Sequence, residues 1–304
     1  MPSRNGYGSM PRLPTGLQLT DRLRILDSCQ DPKRIISYFA VIPTFMSRSY
    51  FPLAWILAGL FALGMVSSAA AQVGVGAQRP AGAELLFDGT REMLDEKWTY
   101  WDGPCRSAQL PIKWSIVDNP VGPGTAVSSN DPYAAGGKYG AADIVTKKKY
   151  RDFRLHVEFM VMRGSGNSGV YLQNRYEIQI VDGEKTQHGM AAVINETESP
   201  YELYRGLQAW NSYDIRFRAA RFENGELVEQ PRVTMYFNGE KVHVNQPIQQ
   251  VHGGVCSGLD GGNDGGEGIT DRPGGLKLQA EGYDVRYRNV WIKELEIEEA
   301  DTDF

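Results

Sequence analysis

Apolar and polar residues alternate in short stretches along the chain from residue 81 onward. In residues 154–161 (RLHVEFMV) and residues 175–181 (RYEIQIV), every second side chain is apolar. A period of two is typical of a β-strand with one face buried. The polar side of these two segments carries Arg154, His156, Glu158, Arg175, Glu177 and Gln179. Further strands are predicted at residues 212–219, 232–237, 241–245, 275–281 and 285–298.

Turn residues separate these segments, and no long run has helical spacing. Asn238 and Gly239 lie between the apolar runs VTMYF and KVHV. They predict a two-residue β-hairpin, because both central positions of a type I′ turn need positive φ. Many short strands in one body favour an all-β fold, a two-sheet antiparallel jelly-roll sandwich. No internal repeat or second domain boundary is visible.

The N-terminal region has a different character. Residues 46–71 contain Arg48, an apolar run of 16 residues (51–66) and three alanines before Gln72. This order is typical of a secretory signal peptide. The alternative is a transmembrane anchor, but the run is shorter than the roughly 20 residues that span a bilayer. We therefore predict a secreted or periplasmic protein with no stable membrane anchor after cleavage.

The predicted domain organisation follows from that segment. Translation is expected to start at Met46, so residues 1–45 are predicted to be untranslated or disordered. The remaining parts are a signal peptide (46–71), a linker (72–83), the jelly-roll domain (84–298) and a tail (299–304).

Charge excludes some partners. The chain has 32 Lys and Arg against 37 Asp and Glu, of which seven and three precede Gln72. From Gln72 onward 25 basic residues therefore face 34 acidic ones, a net charge of −9. Such an excess argues against nucleic acid or anionic lipid as a partner. Cys105 and Cys256 could form one disulfide in an exported protein, and their spacing leaves both states open.

A glycine-rich loop, residues 253–275, offers the only candidate metal ligands apart from the strand carboxylates. Asp260, Asp264 and Glu267 could bind Ca²⁺ through oxygen. Their spacing fits neither the EF-hand nor the nonapeptide calcium repeat, which favours a solvated loop or a rim above a site. A divalent ion, Ca²⁺ or a transition metal, stays an open alternative, and no other cofactor is predicted.

The stretch 164–182, GSGNSGVYLQNRYEIQIVD, is the strongest candidate for chemistry. It places a Gly-Asn-Ser-Gly turn beside the polar side of two strands, where loops commonly bind ligands. We expect Glu158, Glu177 and Gln179 to share one ligand-facing surface, and the alternative is a solvated outer face. Residues 177–182 also resemble the E-x-D-x-x-E strand of laminarinase-type glycosidases. Gln179 replaces the central Asp, however, so a retaining glycosidase is the second choice.

Several segments in order resemble one family, the 3-keto-disaccharide hydrolase domain. They are LLFDG (85–89), DF (152–153), EF (158–159), GNSGVYL (166–172), YEIQ (176–179), WNSY (210–213), FNG (237–239), LQAEG (278–282) and RNV (288–290). The resemblance covers about residues 84–297. It implies a concanavalin-like jelly roll, export, and cleavage of glycosides oxidised at C3. Many members have His where this chain has Glu281, which puts any role of that position in question.

The implied reaction needs three groups. A ketone at C3 acidifies the C2 proton, so a base can remove it, the C1 substituent can leave, and water can add. The candidate bases are Glu158, Glu177 and His156. Enolate stabilisation would come from Asn167, Gln179 or a divalent cation, and the acid would be Asp182 or Glu281.

The resemblance also implies a carbohydrate substrate. Predicted substrate-binding residues are Asn167, Ser168, Tyr171, Arg175, Gln179, Gln279 and Glu281. A carbohydrate-binding module without turnover is the alternative, because one fold serves both purposes. Three carboxylates on or beside one predicted face favour the enzyme.

Overall fold

The computed structural model describes residues 72–101, 110–129, 133, 142–254, 268–281 and 284–300. The predicted signal peptide, Cys105, Cys256 and the candidate metal ligands Asp260, Asp264 and Glu267 lie outside these residues. Within them, no helix has both the length and the apolar character needed to cross a membrane.

Strands dominate the described part of the chain, as predicted. In order, its elements are β1 (Glu84–Phe87), α1 (Arg91–Lys97), β2 (Trp98–Tyr100), β3 (Ser115–Asp118), β4 (Thr125–Ser129), β5 (Ile144–Thr146), β6 (Phe153–Val161), β7 (Asn167–Leu172), β8 (Tyr176–Val181), a 3₁₀ turn (Tyr201–Leu203), β9 (Asn211–Arg218), β10 (Arg221–Glu223), β11 (Glu226–Glu229), β12 (Arg232–Phe237), β13 (Glu240–Pro247), β14 (Lys277–Leu278), β15 (Val285–Glu294) and α2 (Ile297–Ala300).

Two antiparallel sheets form the body. The large sheet has the order β13-β12-β9-β6-β15-β4-β3, with β1 also paired to β15, and the small sheet has the order β2-β5-β14-β7-β8. Strands β10 and β11 form a separate hairpin. Apolar side chains from both sheets make one buried cluster, so the sheets pack face to face. This confirms the predicted all-β jelly-roll sandwich.

Alternation decides which side chains enter that core. Leu155, Val157 and Phe159 of β6 are fully buried in it, as are Ile178 and Ile180 of β8. Burying one side chain of this size contributes roughly 1.5–3 kcal/mol. The polar residues between them therefore lie on the outer faces of the two sheets.

The predicted hairpin is confirmed in detail. Phe237 of β12 is opposite Glu240 of β13, which leaves a two-residue loop. Asn238 has φ 52° and Gly239 has φ 93°, as a type I′ turn requires.

Three element predictions differ from the structure. The strand predicted at residues 275–281 is regular only in β14, because Ala280 N donates to the Asp143 side chain (2.9 Å) rather than to a strand carbonyl. The strand predicted at residues 285–298 ends at Glu294, and α2 follows with acidic residues in its first turn. Helix α1 was not predicted. Its N-cap, Thr90, accepts a hydrogen bond from Met93 N.

The first residues of the predicted linker are hydrogen-bonded to the body. Residues 72–77, which we call the N-terminal strap, lie on the outer face of the large sheet. Gly74 N donates to Asp214 Oδ2 (2.7 Å), and Gly76 N donates to Glu158 Oε1 (2.8 Å). The strap is held by side chains that are distant in sequence, which a composition pattern does not reveal.

Candidate functional site

A group of polar side chains lies on the outer face of the small sheet. Strand register brings its central members together, because Tyr171 is opposite both Glu177 and Lys277, and Gly169 is opposite Gln179. Glu177 is only 4% exposed. We call this group the small-sheet cluster: Asp143, Asn167, Tyr171, Glu177, Gln179, His252, Lys277, Gln279 and Glu281.

Tyr171 is at the centre of the cluster. Its hydroxyl accepts a hydrogen bond from Gln279 Nε2 (3.0 Å), and Lys277 Nζ lies 3.8 Å from the centre of its ring. Burial raises the pKa of Tyr171 well above its ordinary value, and the negative charges of Glu177 and Asp143 act in the same direction. Tyr171 is therefore a neutral phenol that can donate a hydrogen bond to the Glu177 carboxylate.

A buried ion pair lies beside the phenol. Lys277 Nζ is 3.3 Å from Asp143 Oδ2 and donates to Gly253 O (2.6 Å). Burial raises the pKa of Asp143 to about 6, although the charge of Lys277 and the Ala280 N–H act in the opposite direction. These contacts hold the Lys277 ammonium group beside the Tyr171 ring.

Glu177 also pairs with an imidazole. Its Oε2 lies 3.3 Å from His252 Nε2, and the His252 side chain is 31% exposed. The backbone N of His252 donates to Arg175 O (2.8 Å), which anchors this loop residue beside β8. The carboxylate thus touches a phenol on its buried side and a partly exposed imidazole.

Two glycines make room for this arrangement. A Cβ on Gly169 would lie 2.2 Å from Glu177 Oε1, so only glycine lets the carboxylate lie across β7. Gly254 has φ +75°, and a Cβ there would lie 2.6 Å from the Tyr171 hydroxyl. The predicted Gly-Asn-Ser-Gly turn is mostly strand in the structure, because β7 begins at Asn167. Its second glycine, Gly169, matters for the cluster as much as its polar residues do.

The amides of the cluster hold unused hydrogen-bond acceptors. Asn167 Nδ2 donates to Glu281 Oε2 (3.2 Å), and Gln279 Nε2 donates to Glu281 Oε1 (3.0 Å). Asn167 Oδ1 and Gln279 Oε1 are buried without a partner. Buried polar atoms are nearly always paired in native proteins, so these oxygens are suited to a ligand hydroxyl.

Five predicted site residues are not part of the cluster, and three of them, Ser168, Arg175 and Asp182, lie on or next to strands of the small sheet. Ser168 points into the sandwich, where its Oγ donates to Gln279 O (2.6 Å) and contacts the Tyr287 hydroxyl (2.5 Å). Arg175 donates to the carbonyls of Gly268 and Gln173.

Asp182 follows the end of β8, where its carboxylate accepts from Ser165 N and the Tyr201 hydroxyl. Among the described contacts, none joins Ser168, Arg175 or Asp182 side chains to Tyr171 or Glu177.

The expectation that Glu158, Glu177 and Gln179 share one surface is wrong. Glu158 and His156 lie on β6, in the large sheet, and point away from the small sheet. The alternation identified the polar side of β6 correctly, but it contains no information on which sheet the strand joins.

Glu158 and His156 instead form a closed group with three further side chains. His156 Nδ1 lies 2.8 Å from Asp214 Oδ1, and Glu158 accepts from Arg288 Nε (2.7 Å) and Asn289 Nδ2 (2.8 Å). A β-bulge between Arg288 and Trp291 turns two successive side chains towards Glu158. We call these five residues (His156, Glu158, Asp214, Arg288 and Asn289) the large-sheet cluster.

The electrostatics of the large-sheet cluster are those of a structural ion network. Burial would raise the pKa of Glu158, but hydrogen bonds from His156, Asn289, Gly76 and Arg288 lower it to about 2. Burial would lower the pKa of His156, yet its bonds to Asp214 and Glu158 raise it overall. His156, Glu158 and Asp214 are at most 1% exposed and the N-terminal strap lies over them, so these three side chains are closed to solvent, whereas the Arg288 side chain is 27% exposed.

Sequence reasoning missed three members of the small-sheet cluster. The place of Lys277 could have been predicted, because Lys277, Gln279 and Glu281 alternate with apolar residues and so share one side of a strand. Asp143 and His252 flank strands without a pattern, and only the fold brings them to Tyr171.

Among the residues that the structure describes, no three His, Cys, Asp or Glu side chains form a group that could hold a metal ion.

Comparison with known proteins adds a family. Residues 82–293 match the model of a 3-keto-alpha-glucoside-1,2-lyase-like domain. Among curated proteins, none matches this chain.

Comparison with solved structures gives further similar proteins. The chain is similar to two putative glycosyl hydrolases from Parabacteroides distasonis ATCC 8503. The first is 25% identical, with a TM-score of 0.56 over 72% of this chain and 86% of that one. The second is 20% identical, with a TM-score of 0.47 over 71% of this chain and 94% of that one.

The family match spans both sheets and includes the small-sheet and large-sheet clusters. The chain belongs to the 3-keto-alpha-glucoside-1,2-lyase-like domain family.

Proposed function

We propose that this protein cleaves 3-keto-glycosides at the small-sheet cluster by elimination followed by hydration. Family membership and the likeness to a glycosyl hydrolase support a carbohydrate-active protein of glycosidase-like character. The observation that carries the specific proposal is the pairing of Glu177 with both Tyr171 and His252, next to the unpartnered oxygens of Asn167 and Gln279.

In the first step, the Glu177 carboxylate removes the C2 proton of the sugar. The C2–H electrons form the enolate of the C3 ketone, whose oxygen gains negative charge. The Tyr171 hydroxyl is a neutral donor beside Glu177, and the charge of Lys277 lies under its ring, so both favour an anion at this place.

In the second step, the enolate electrons form the C1–C2 double bond and the C1–O bond breaks. The leaving oxygen needs a proton, and protonated His252 is the donor in this scheme because its imidazole is partly exposed beside Glu177. Water then adds, with its hydroxyl on C1 and a proton on C2, which makes the net reaction a hydrolysis. Asn167 Oδ1 and Gln279 Oε1 accept hydrogen bonds from sugar hydroxyls.

The test compares a 3-keto-disaccharide with the same sugar before oxidation. We expect cleavage of the keto form alone, and a loss of about 100-fold or more in kcat for Glu177→Gln. Glu226→Gln, on the exposed strand β11, is the matched control and should keep full activity. Cleavage of the unoxidised sugar alone would indicate a retaining glycosidase. Saturable binding without any turnover would indicate a carbohydrate-binding module.

Export is a separate proposal and rests on the order of basic, apolar and small residues in 46–71. N-terminal sequencing of protein recovered outside the cytoplasm should begin at Gln72. An intact Met1 would contradict it.

A further inference from the structure

Two amide groups in the small-sheet cluster are held by one carboxylate. Glu281 Oε2 accepts a hydrogen bond from Asn167 Nδ2 (3.2 Å), and Glu281 Oε1 accepts one from Gln279 Nε2 (3.0 Å). Because a carboxylate offers acceptors only, it binds the NH₂ side of each amide and turns the carbonyl oxygen the other way. Glu281 therefore fixes the direction of both amides.

The amide of Gln279 is fixed by a second contact as well. Its Nε2 also donates to the Tyr171 hydroxyl (3.0 Å), so both of its amide hydrogens are bonded. Gln279 is 6% exposed, and its Oε1 is buried without a partner, as is Asn167 Oδ1. Leaving a buried acceptor unpaired is costly, and a ligand hydroxyl that donates to it removes that cost.

The direction of the Gln279 amide also affects the proposed base. Because the Tyr171 hydroxyl accepts from Gln279 Nε2, its own hydrogen is directed to Glu177, the residue opposite it on β8. If the amide were turned over, Gln279 Oε1 would take the place of Nε2 and accept that hydrogen instead. One carboxylate thus controls both the acceptors for a sugar and the donor beside the base.

We propose that Glu281 is a positioning residue, which turns the carbonyl oxygens of Asn167 and Gln279 towards the sugar and so selects a ring with two free hydroxyl donors. The inference rests on the proposed function, because it takes the small-sheet cluster as the place where the oxidised ring binds. This role differs from the two that the sequence predicts for Glu281, the acid and a contact to substrate.

The chemistry of the substrate narrows the choice of hydroxyls. Beside its C3 ketone, the oxidised ring of a 3-keto-glucoside has hydroxyls on C2, C4 and C6. At least one of two hydroxyls bound by Asn167 and Gln279 is therefore on C4 or C6, away from the carbon that loses its proton. Replacing that hydroxyl tests recognition without changing the reacting bond.

The test compares kcat/KM for the 3-keto-disaccharide with kcat/KM for analogues in which fluorine replaces the C4 or C6 hydroxyl of the oxidised ring. Fluorine resembles a hydroxyl group in size but donates no hydrogen bond. We expect the parent to prefer the hydroxyl form over at least one analogue by about 10- to 100-fold, the factor for one buried acceptor left unpaired.

Glu281→Gln is the decisive variant, because glutamine fills the same space and adds an NH₂ group that can donate to one of the two carbonyls. The preference for the hydroxyl form should fall by about tenfold. Glu226→Gln, on the exposed strand β11, is the matched control and should keep the preference of the parent. A merely structural role of Glu281 would lower kcat/KM equally for both sugars, so an unchanged preference in Glu281→Gln would overturn the proposal.

Hydrogen exchange of side-chain amides in the ligand-free protein tests the same role without a sugar. Both amide hydrogens of Gln279 are bonded, so NMR should show slow exchange with solvent in the parent. Exchange should be about tenfold faster in Glu281→Ala and unchanged in Glu226→Gln. Slow exchange in the parent without cleavage of any keto sugar would refute the proposed function alone. Normal cleavage, with equal exchange in the parent and in Glu281→Ala, would overturn the role of Glu281 alone.

Discussion

The small-sheet cluster and the large-sheet cluster carry similar residues but differ in how completely their own polar side chains are hydrogen-bonded. On the large sheet, Glu158 accepts hydrogen bonds from Arg288, Asn289 and Gly76, and the strap covers it. On the small sheet, Asn167 and Gln279 keep unpartnered oxygens, and His252 reaches solvent beside Glu177. Buried carboxylates and histidines are therefore not a site by themselves. Unused acceptors and a partly exposed imidazole beside the carboxylate distinguish the small-sheet cluster.

The largest expected effect is a loss of stability when the large-sheet cluster is disrupted. Glu158→Ala should lower the free energy of unfolding by about 3–5 kcal/mol, because it removes the carboxylate that pairs with Arg288 and one of the two carboxylates beside the buried His156. Urea unfolding measures this. Glu177→Ala, in the small-sheet cluster, should lower the free energy of unfolding clearly less. Equal losses in the two variants would remove the distinction between the two clusters.

Next in size is an effect on activity through Gly169. Gly169→Ala should reduce kcat by about 100-fold, because the new methyl group displaces the Glu177 carboxylate from Tyr171. Gly164→Ala is the control, since the nearest atom to its added Cβ is 3.8 Å away. Assay with the 3-keto-disaccharide should show normal activity in the control, and full activity in Gly169→Ala would contradict the proposed role of Glu177.

The contributions of the two clusters to stability should also change with pH in opposite directions. Glu158 has a pKa lowered from 4.5 to about 2, so its contribution to stability is present above pH 4.5 and is lost as the pH falls towards 2. Asp143 has a pKa raised from 3.8 to about 6, so folding becomes less favourable as the pH rises between these values.

NMR titration of the two side-chain carboxyl groups is the measurement. The variants Glu158→Gln and Asp143→Asn assign the two signals, because each variant lacks one of them. A midpoint for Asp143 below that for Glu158 would reverse the comparison.

The smallest effect concerns substrate binding. Asn167→Ala should raise KM several-fold for the keto substrate, the loss of about one neutral hydrogen bond, and change kcat less. Asn289→Ala, in the large-sheet cluster, should lower stability and leave KM unchanged. A KM effect of equal size in both variants would mean that the open acceptor on Asn167 has no part in binding.

Local patterns predicted local structure well. The Asn238–Gly239 turn, the alternation of β6 and β8 and the sandwich class all follow from neighbouring residues. Local patterns were not enough to predict the site, because strand pairing places Tyr171 between Glu177 and Lys277 although Lys277 is far along the chain. Sequence periodicity specifies which way a side chain points relative to its own strand. It does not specify the sheet that the strand joins, which is why Glu158 was grouped with Glu177.

The N-terminal strap has a consequence for the order of folding. Gly74 and its acceptor Asp214 are 140 residues apart, and Ala77 lies 212 residues from Asn289, which donates to its carbonyl. Neither partner position exists until β9 and β15 have paired with β6, and closing such long loops costs entropy before any contact repays it. The residues of the body that leave the ribosome first are thus among the last to dock, so the start of the body stays extended while the rest of the chain is made.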